Sequence, residues 1–146
     1  MKVLHVITGL NRGGAESHLV ELVRHQCASG MDVSVAYFRG SGYWTARLEE
    51  LGAKVHRLGF LFYGDPRPYL GLRRMLKSAR FDLLHAHLPP AELYSRVALI
   101  GIARTSLPLI VSKHNEAPFY NGPGQGVLCR WVARRAEWVI AISDAV

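Results

Sequence analysis

Residues 1–16, MKVLHVITGLNRGGAE, decide the fold. They begin with a short apolar run, Val3–Thr8, and continue through a glycine-containing loop into the segment Ala15–Ser29. The apolar residues of that segment recur at helical spacing, and Gly30 follows it as a typical helix stop. A second apolar run, Val33–Phe38, comes next. The chain is therefore predicted to open with a β-α-β unit.

Strands and helices are predicted to alternate along the rest of the chain. The predicted strands are Val3–Thr8, Val33–Phe38, Lys54–Leu58, Leu83–His87, Leu109–Ser112 and Trp138–Ile142. The predicted helices are Ala15–Ser29, Tyr43–Leu51, Tyr69–Ala79, Ala91–Ala103 and Gly126–Arg135. Several strands are continuously apolar, which is typical of strands covered on both faces. The pattern predicts an α/β fold: a Rossmann-like, doubly wound, mostly parallel sheet of about six strands, in the order 3-2-1-4-5-6.

Composition limits the class of protein. The chain has 146 residues, the size of one domain, and is 49% hydrophobic, as globular proteins are. Its apolar stretches are shorter than the ~20 residues of a transmembrane helix, and its start lacks a signal-peptide pattern. Cys27 and Cys129 have no CxxC spacing, so neither a zinc site nor a disulfide framework is indicated. These features predict a cytoplasmic protein, and the net charge of +7 allows anionic partners without choosing among them.

The loop after the first strand carries an adjacent glycine pair, Gly13 and Gly14. Such glycines expose backbone amides at a helix N-terminus, where the helix dipole favours phosphate, although a plain strand-to-helix turn explains them equally well. Glu16 has a structural explanation too, because an acidic residue in the first turn complements the dipole. The loop is not a dinucleotide fingerprint: Gly9 and Gly13 are four apart, and Arg39 stands where the ribose would require an acidic group.

The predicted fourth strand ends with two histidines. His85 and His87 are two residues apart, so they should project from one face of the strand, and Pro89 should end the strand just past them. No third ligand with recognisable metal-site spacing accompanies them, so no metal site is predicted. His85 is expected to be the more buried of the two and His87 to face the ligand cleft.

The loop after the fifth strand places Lys113, His114 and Asn115 at the same edge of the sheet. A cation, an imidazole and an amide together suit a polyhydroxylated ligand, but a structural role is equally open from these residues alone. Ser143 follows the last strand, where a role as helix N-cap explains it sufficiently.

Four motifs together resemble glycosyltransferase family 4. They are GGAE at 13–16, DLLHAH at 82–87, KHN at 113–115 and VIAIS at 139–143, and they lie in the family's order and spacing along the entire chain. The resemblance implies a retaining, nucleotide-sugar-dependent glycosyltransferase, such as a hexosyltransferase, of the GT-B fold. It further implies that residues 1–146 are the acceptor-side, N-terminal half of that fold.

The resemblance also implies roles for individual residues. His114 would be the catalytic histidine beside the transferred sugar, and Gly13 and Gly14 would bind the donor diphosphate. Acceptor or sugar contacts would come from Asn11, Arg12, Glu16, His87, Lys113 and Asn115. The nucleotide-sugar would be a co-substrate, and neither a metal nor another cofactor would be required.

The family's nucleotide-sugar domain is an expected partner. Its paired glutamates and the basic residue that grips the diphosphate belong to a C-terminal domain, which this sequence does not contain, so the chain alone is expected to be inactive. The expected acceptor is a glycan or a lipid-linked molecule of the cell envelope.

A second region bears on the acceptor. Four large apolar residues lie within Gly59–Gly64, and a basic segment, Arg67–Lys77, follows. One hypothesis is peripheral docking on an anionic membrane, at its inner face; the alternative is a helix packed on the sheet with a solvated cationic face.

Other classes of function remain as alternatives. A non-catalytic sugar- or phosphate-binding subunit of a split transferase is the first of them. A nicotinamide oxidoreductase is opposed by the glycine spacing and by Arg39. Nucleic-acid binding is not predicted, because the basic charge is accompanied by no groove-entering or stacking motif.

Overall fold

The structure is a computed structural model that describes residues 1–102, 107–114, 125–134 and 136–141. Its elements alternate between strand and helix: β1 (Lys2–Gly9), α1 (Gly14–Ala28), β2 (Asp32–Arg39), α2 (Thr45–Glu50), β3 (Lys54–Arg57), α3 (Pro66–Ser78), β4 (Leu83–His87), α4 (Pro89–Ala98), β5 (Leu109–Lys113), α5 (Gln125–Ala133) and β6 (Trp138–Ala141).

The six strands form one parallel sheet in the order β3-β2-β1-β4-β5-β6. The predicted fold class and strand order are confirmed. β1 lies at the centre of the sheet, where His5 pairs in register with His85 and Ile7 with His87. β4 pairs in turn with β5, placing His87 opposite Ser112. Because all strands are parallel, the loops that follow β1, β4 and β5 meet at one edge of the sheet.

Two apolar layers cover the sheet. On one face, Leu4 and Val6 of β1 pack in a cluster with Leu72 of α3 and Tyr94 of α4. On the other face, Ile7 packs in a second cluster that includes Leu19, Val20 and Val23 of α1 and Leu48 of α2. The central strands are consequently buried on both faces, which explains their continuously apolar sequences. His5 shares the α1 face with Ile7, since residues two apart on a strand point the same way.

α3 begins three residues earlier than predicted, at Pro66 instead of Tyr69. Asp65 is its N-cap, and the Asp65 carboxylate accepts a hydrogen bond from the Arg67 amide at 3.0 Å. A capping carboxylate followed by proline starts a helix efficiently, because proline lacks only a donor that the first turn would leave unpaired.

α4 also differs from its predicted bounds. It begins at Pro89 instead of Ala91 and ends at Ala98, whereas the predicted end, Ala103, lies outside the described residues. The expectation that Pro89 ends the fourth strand was incomplete, since the same proline opens the next helix. Leu88 makes the turn between them, with φ 72° and ψ 150°, a backbone conformation that residues with a Cβ rarely adopt.

Candidate functional site

Three histidine rings converge on the α1 face of the sheet, near the carboxyl ends of β1 and β4. The ring centroids of His85 and His87 lie 4.1 Å apart, which confirms that the two side chains share a face. His5 joins them at 5.1 Å from His85 and 5.4 Å from His87. His5 escaped the sequence analysis, although a histidine inside an otherwise apolar strand was an available signal.

Hydrogen bonds link these rings into a chain that crosses the sheet. His5 Nε2 lies 2.7 Å from Oε1 of Gln26 on α1, and His5 Nδ1 lies 3.1 Å from His87 Nε2. His87 Nδ1 lies in turn 3.1 Å from Nε2 of His114, the residue directly after β5. His114 is therefore connected through two buried rings to a glutamine on the helix that covers the sheet.

The expected burial of the β4 histidines was wrong. His87 is 0% exposed and His85 is 4% exposed, so His87 does not face the cleft in this structure. The reason is its position between two other rings, His5 on one side and His114 on the other. His85 instead hydrogen-bonds through Nε2 to the Ser112 hydroxyl at 2.7 Å. A contact between His87 and an acceptor remains a prediction.

The histidines of this cluster are neutral at neutral pH. Burial lowers the pKa of His5 to about 4 and the pKa of His85 to about 3. Burial also holds the pKa of His87 well below its ordinary value, with the neighbouring rings adding to the effect. Half-buried His114 has its pKa lowered to about 4, chiefly by burial and further by His18. Each neutral ring carries one N–H donor and one nitrogen acceptor.

His18 brings the start of α1 to this site. Its ring lies edge-on to His114, with centroids 5.5 Å apart, and it is exposed one turn into α1. Five of the seven histidines in the chain thus surround the carboxyl ends of β1, β4 and β5.

The glycine pair lies at the N-terminus of α1. Gly13 is the N-cap and Gly14 the first helical residue. A Cβ at Gly13 would overlap the Glu16 carboxylate, which folds back over this turn, whereas a Cβ at Gly14 would meet no atom of the described structure within 4 Å. Glu16 lies in the first turn, as its dipole role predicts. The backbone of Gly14 is therefore accessible to a ligand.

The other two residues of the first loop have structural contacts. Asn11 Oδ1 accepts a hydrogen bond from the Ser41 amide at 2.9 Å. Arg12 donates from Nη2 to the Tyr43 hydroxyl at 2.9 Å, and its guanidinium carbon lies 4.3 Å from the centroid of that ring. Both side chains tie the first loop to the loop after β2, so they shape this edge of the sheet.

Lys113 turns toward α4. Its ammonium group forms an ion pair with the carboxylate of Glu92, whose side chain is only 3% exposed in the first turn of α4. The pair joins the end of β5 to the start of α4. Asn115 and Ser143 lie outside the described residues, so their predicted roles stay predictions.

The three buried histidines also form the one group of potential metal ligands in the described part of the chain. Ring nitrogens of His5, His85 and His87 lie within 4.8 Å of one another. Hydrogen bonds to Gln26, Ser112, His114 and each other already occupy five of their six nitrogens. The expectation of a metal-free site remains a prediction.

An apolar and basic surface lies apart from the histidines. Phe60 is buried in the core, but Leu61, Phe62 and Tyr63 of the loop after β3 are 76%, 60% and 56% exposed. Leu70, Arg74 and Lys77 continue the exposed face along α3. We call these six residues the apolar–basic surface. The inner face of α3 packs on the sheet through Leu72 and Leu76. Among the described residues, no helix has the length and apolar character needed to span a bilayer.

A Rossmann-like sheet with its polar cluster at the carboxyl edge defines a class of ligand-binding α/β proteins. Within that class the chain belongs to glycosyltransferase family 4, whose model matches residues 12–146. This confirms the resemblance seen in the sequence motifs.

One curated protein and several solved structures are similar to this chain. The chain is 28% identical over 123 residues to a Campylobacter jejuni enzyme, GalNAc-alpha-(1->4)-GalNAc-alpha-(1->3)-diNAcBac-PP-undecaprenol alpha-1,4-N-acetyl-D-galactosaminyltransferase, in a match covering 80% of this chain and 33% of the relative. The structure of HepE from Anabaena in complex with UDP superposes with a TM-score of 0.76 at 24% identity, covering 99% of this chain and 38% of HepE. MurG of Acinetobacter baumannii superposes with a TM-score of 0.67 at 13% identity, covering 99% and 42%.

The fold is that of one half of the GT-B glycosyltransferases, as predicted. The chain spans about a third of the length of the Campylobacter relative and about two fifths of the two solved structures.

Proposed function

We propose that this chain is the acceptor-side domain of a retaining glycosyltransferase that moves a hexosyl group from a nucleotide-sugar to an acceptor hydroxyl. The observation that carries the proposal is the position of His114: a half-buried, neutral imidazole at the end of β5, in contact with His18 near the N-terminus of α1. This position places a hydrogen-bonding ring and a helix N-terminus at one edge of the sheet.

The donor diphosphate binds at the start of α1. The Gly14 backbone is open there, and the unpaired amides and dipole of a helix N-terminus attract phosphate groups. The HepE structures are complexes with UDP and with UDP and glucose, which supports a nucleotide-sugar as the donor. The Glu16 carboxylate lies over the same turn, so it would move aside or hydrogen-bond a sugar hydroxyl when a donor arrives.

His114 acts as a neutral hydrogen-bonding group beside the transferred sugar. Its pKa of about 4 makes the imidazolium form scarce at neutral pH, so the ring is unsuited to be a general acid there. A neutral ring held in one orientation can instead align the sugar and stabilise the reacting geometry through preorganisation. The leaving phosphate would then deprotonate the acceptor hydroxyl on the same face of the sugar, which gives retention of configuration.

The acceptor in this proposal is lipid-linked. The name of the Campylobacter relative specifies an undecaprenol diphosphate acceptor, and the apolar–basic surface suits a bilayer that carries anionic headgroups. Leu61, Phe62 and Tyr63 would enter the interfacial region while Arg74 and Lys77 face the headgroups. Asn11, Arg12 and Lys113 have structural contacts of their own, so they contribute to acceptor binding mainly by shaping the edge of the sheet.

The nucleotide-sugar domain is proposed to lie outside the chain described here. The longer relatives support this division, because more than half of each lies beyond the match. The edge strand β6 supports it as well: Trp138, Val139 and Ile140 are 69%, 50% and 42% exposed, an apolar surface of the kind that further structure covers.

A transfer assay tests the proposal. A protein that joins this domain to the nucleotide-sugar domain is incubated with UDP-sugars and a polyprenyl-diphosphate glycan, and the anomeric configuration of the product is read by NMR. A retained α-linkage from an α-configured donor supports the proposal; an inverted product, or hydrolysis without transfer, contradicts it. Calorimetric titration of the isolated chain with UDP-sugars should show no binding at micromolar concentrations, which separates this half-site from a self-sufficient sugar-binding subunit.

A further inference from the structure

The orientation of the Gln26 amide sets the donor-to-acceptor direction of the hydrogen bonds that run from Gln26 to His114. The Gln26 oxygen that lies 2.7 Å from His5 Nε2 is a carbonyl oxygen, which only accepts hydrogen bonds. His5 Nε2 must therefore carry the proton. A neutral imidazole has one N–H, so His5 Nδ1 is left as an acceptor.

The limit of one N–H per neutral ring also fixes the direction of the next two hydrogen bonds. His87 Nε2 donates to His5 Nδ1, which leaves His87 Nδ1 as an acceptor. His114 Nε2 then donates to His87 Nδ1. Rotating the Gln26 amide by half a turn would reverse each of these bonds, so one side chain on α1 sets the proton positions on all three rings.

Two observations show that the intermediate rings are held in place. His5 and His87 are fully buried, which excludes water as an alternative partner and keeps both rings neutral. His85 packs against His87 with ring centroids 4.1 Å apart and is itself held by Ser112, so the His87 ring has little freedom to turn over.

We propose that Gln26 and His5 are positioning residues for sugar transfer: acting through His87, they hold His114 in the Nε2–H tautomer and leave its Nδ1 as an acceptor for a hydroxyl of the bound sugar. The link to a sugar hydroxyl rests on the proposed function, whereas the tautomer assignment does not. A second-sphere group that selects a tautomer commonly matters to chemistry as much as the group that touches the ligand.

Tautomer measurement by NMR tests the assignment directly. In the ¹⁵N-labelled protein at pH 7, long-range correlation of the imidazole protons with their nitrogens distinguishes Nε2–H from Nδ1–H rings. The wild-type protein is expected to show the Nε2–H form for His5, His87 and His114. A His114 ring in the Nδ1–H form would overturn the inference.

Two variants separate positioning from simple structural support. Gln26→Met removes the acceptor while keeping the length of the side chain, and it should give mixed tautomers at His87 and His114. Gln26→Glu keeps an acceptor oxygen and should restore the wild-type spectrum. His25→Gln, which changes an exposed histidine on the same helix, should leave the three rings unaffected. A Gln26→Met spectrum identical to that of the wild type would overturn the inference.

Kinetics then connect the tautomer to transfer. In the two-domain protein, Gln26→Met should lower kcat about tenfold with little change in the KM for the donor, because a misoriented ring affects the reacting geometry more than ground-state binding. Gln26→Glu should retain most of the activity. An unchanged kcat in Gln26→Met would overturn the positioning role. An absence of transfer by the wild-type protein would instead overturn the proposed function, and the NMR spectrum would still decide the tautomers.

Discussion

His114 Nε2 lies 3.1 Å from His87 Nδ1, so the ring after β5 rests on the ring that ends β4. The half-buried histidine with the proposed role in transfer is thus held in place by a fully buried one. This relationship determines what substitutions at the site will do.

Replacing His114 by alanine should lower turnover of the two-domain protein by about 10²-fold, the usual loss when one preorganised polar group is removed. The free energy of unfolding should fall by only about 1 kcal/mol, because water can reach the half-buried position and pair with His87. Steady-state kinetics and urea denaturation measure the two effects. His56→Ala, on the edge strand β3, is the matched control. Turnover equal to the wild type would remove the role proposed for His114.

Acid should destabilise this protein at the histidine cluster. The pKa values of His5 and His85 are about 4 and about 3 in the folded chain, against about 6.5 when unfolded, so between these values the unfolded chain binds more protons. Stability is therefore complete above pH 6.5 and is lost as the pH falls toward 4, by about 1.4 kcal/mol per pH unit for each such histidine. Urea denaturation from pH 7 to pH 5 measures the slope. His85→Gln should reduce it and His56→Gln should not; equal slopes in all three proteins would contradict the assignment.

At position 88, a glycine variant should be more stable than an alanine variant, which is the reverse of the usual order. The Leu88 φ of 72° and ψ of 150° suit glycine alone, and such a conformation costs about 1–3 kcal/mol in other residues. Leu88→Gly is therefore expected to be about 1 kcal/mol more stable than Leu88→Ala. Leu51 provides the control, because at its φ of −76° the alanine variant should be the more stable of the pair. The same order at both positions would argue against the left-handed turn.

The ion pair between Lys113 and Glu92 should be structural. Lys113→Met would leave a buried carboxylate without that cation, and breaking a buried pair typically costs about 3–5 kcal/mol. The double variant Lys113→Met with Glu92→Gln should recover part of this loss. Lys54→Met, which breaks an exposed pair with Asp32, should cost less than about 1 kcal/mol. Thermal denaturation compares them, and equal losses at Lys113 and Lys54 would contradict a buried role.

The apolar–basic surface should bind anionic bilayers. Sedimentation with vesicles containing phosphatidylglycerol should recover the protein in the pellet, whereas neutral vesicles should leave most of it in the supernatant. Leu61→Ser with Phe62→Ser, or Arg74→Gln with Lys77→Gln, should each weaken binding. Arg47→Gln with Lys54→Gln removes the same charge elsewhere and serves as the control. Equal recovery in the supernatant with both vesicle types would remove the membrane contact.

Most of the fold could be predicted from the sequence, because each buried strand is a short apolar run and helix-length segments separate the strands. The starts of α3 and α4 were predicted two or three residues too late, because the apolar spacing was followed and the prolines that begin the helices at Pro66 and Pro89 were not used as start signals. Spacing along β4 was enough to place His85 and His87 on one face.

The rest of the site depends on contacts between distant segments. His5 reaches His87 because β1 and β4 pair in one register, and Gln26 reaches His5 because α1 covers that face of the sheet. Neither fact is local to a motif. The predicted order of burial at His85 and His87 was wrong for the same reason. Burial there depends on which residues cover each ring, and not on the distance of the ring from the end of the strand.

The line of rings beneath His114 changes how sequence variation in this domain should be sorted. Seen alone, Gln26 looks like an ordinary residue of the helix α1, and His5 looks like an interior packing residue of the strand β1. A survey of natural or laboratory variants that scores both positions by hydrophobicity and volume would classify them as residues that only support the fold. Grouped with His87 and His114, they form one hydrogen-bonded unit, in which a change at one position is expected to alter the protonation of a ring more than eighty residues along the chain.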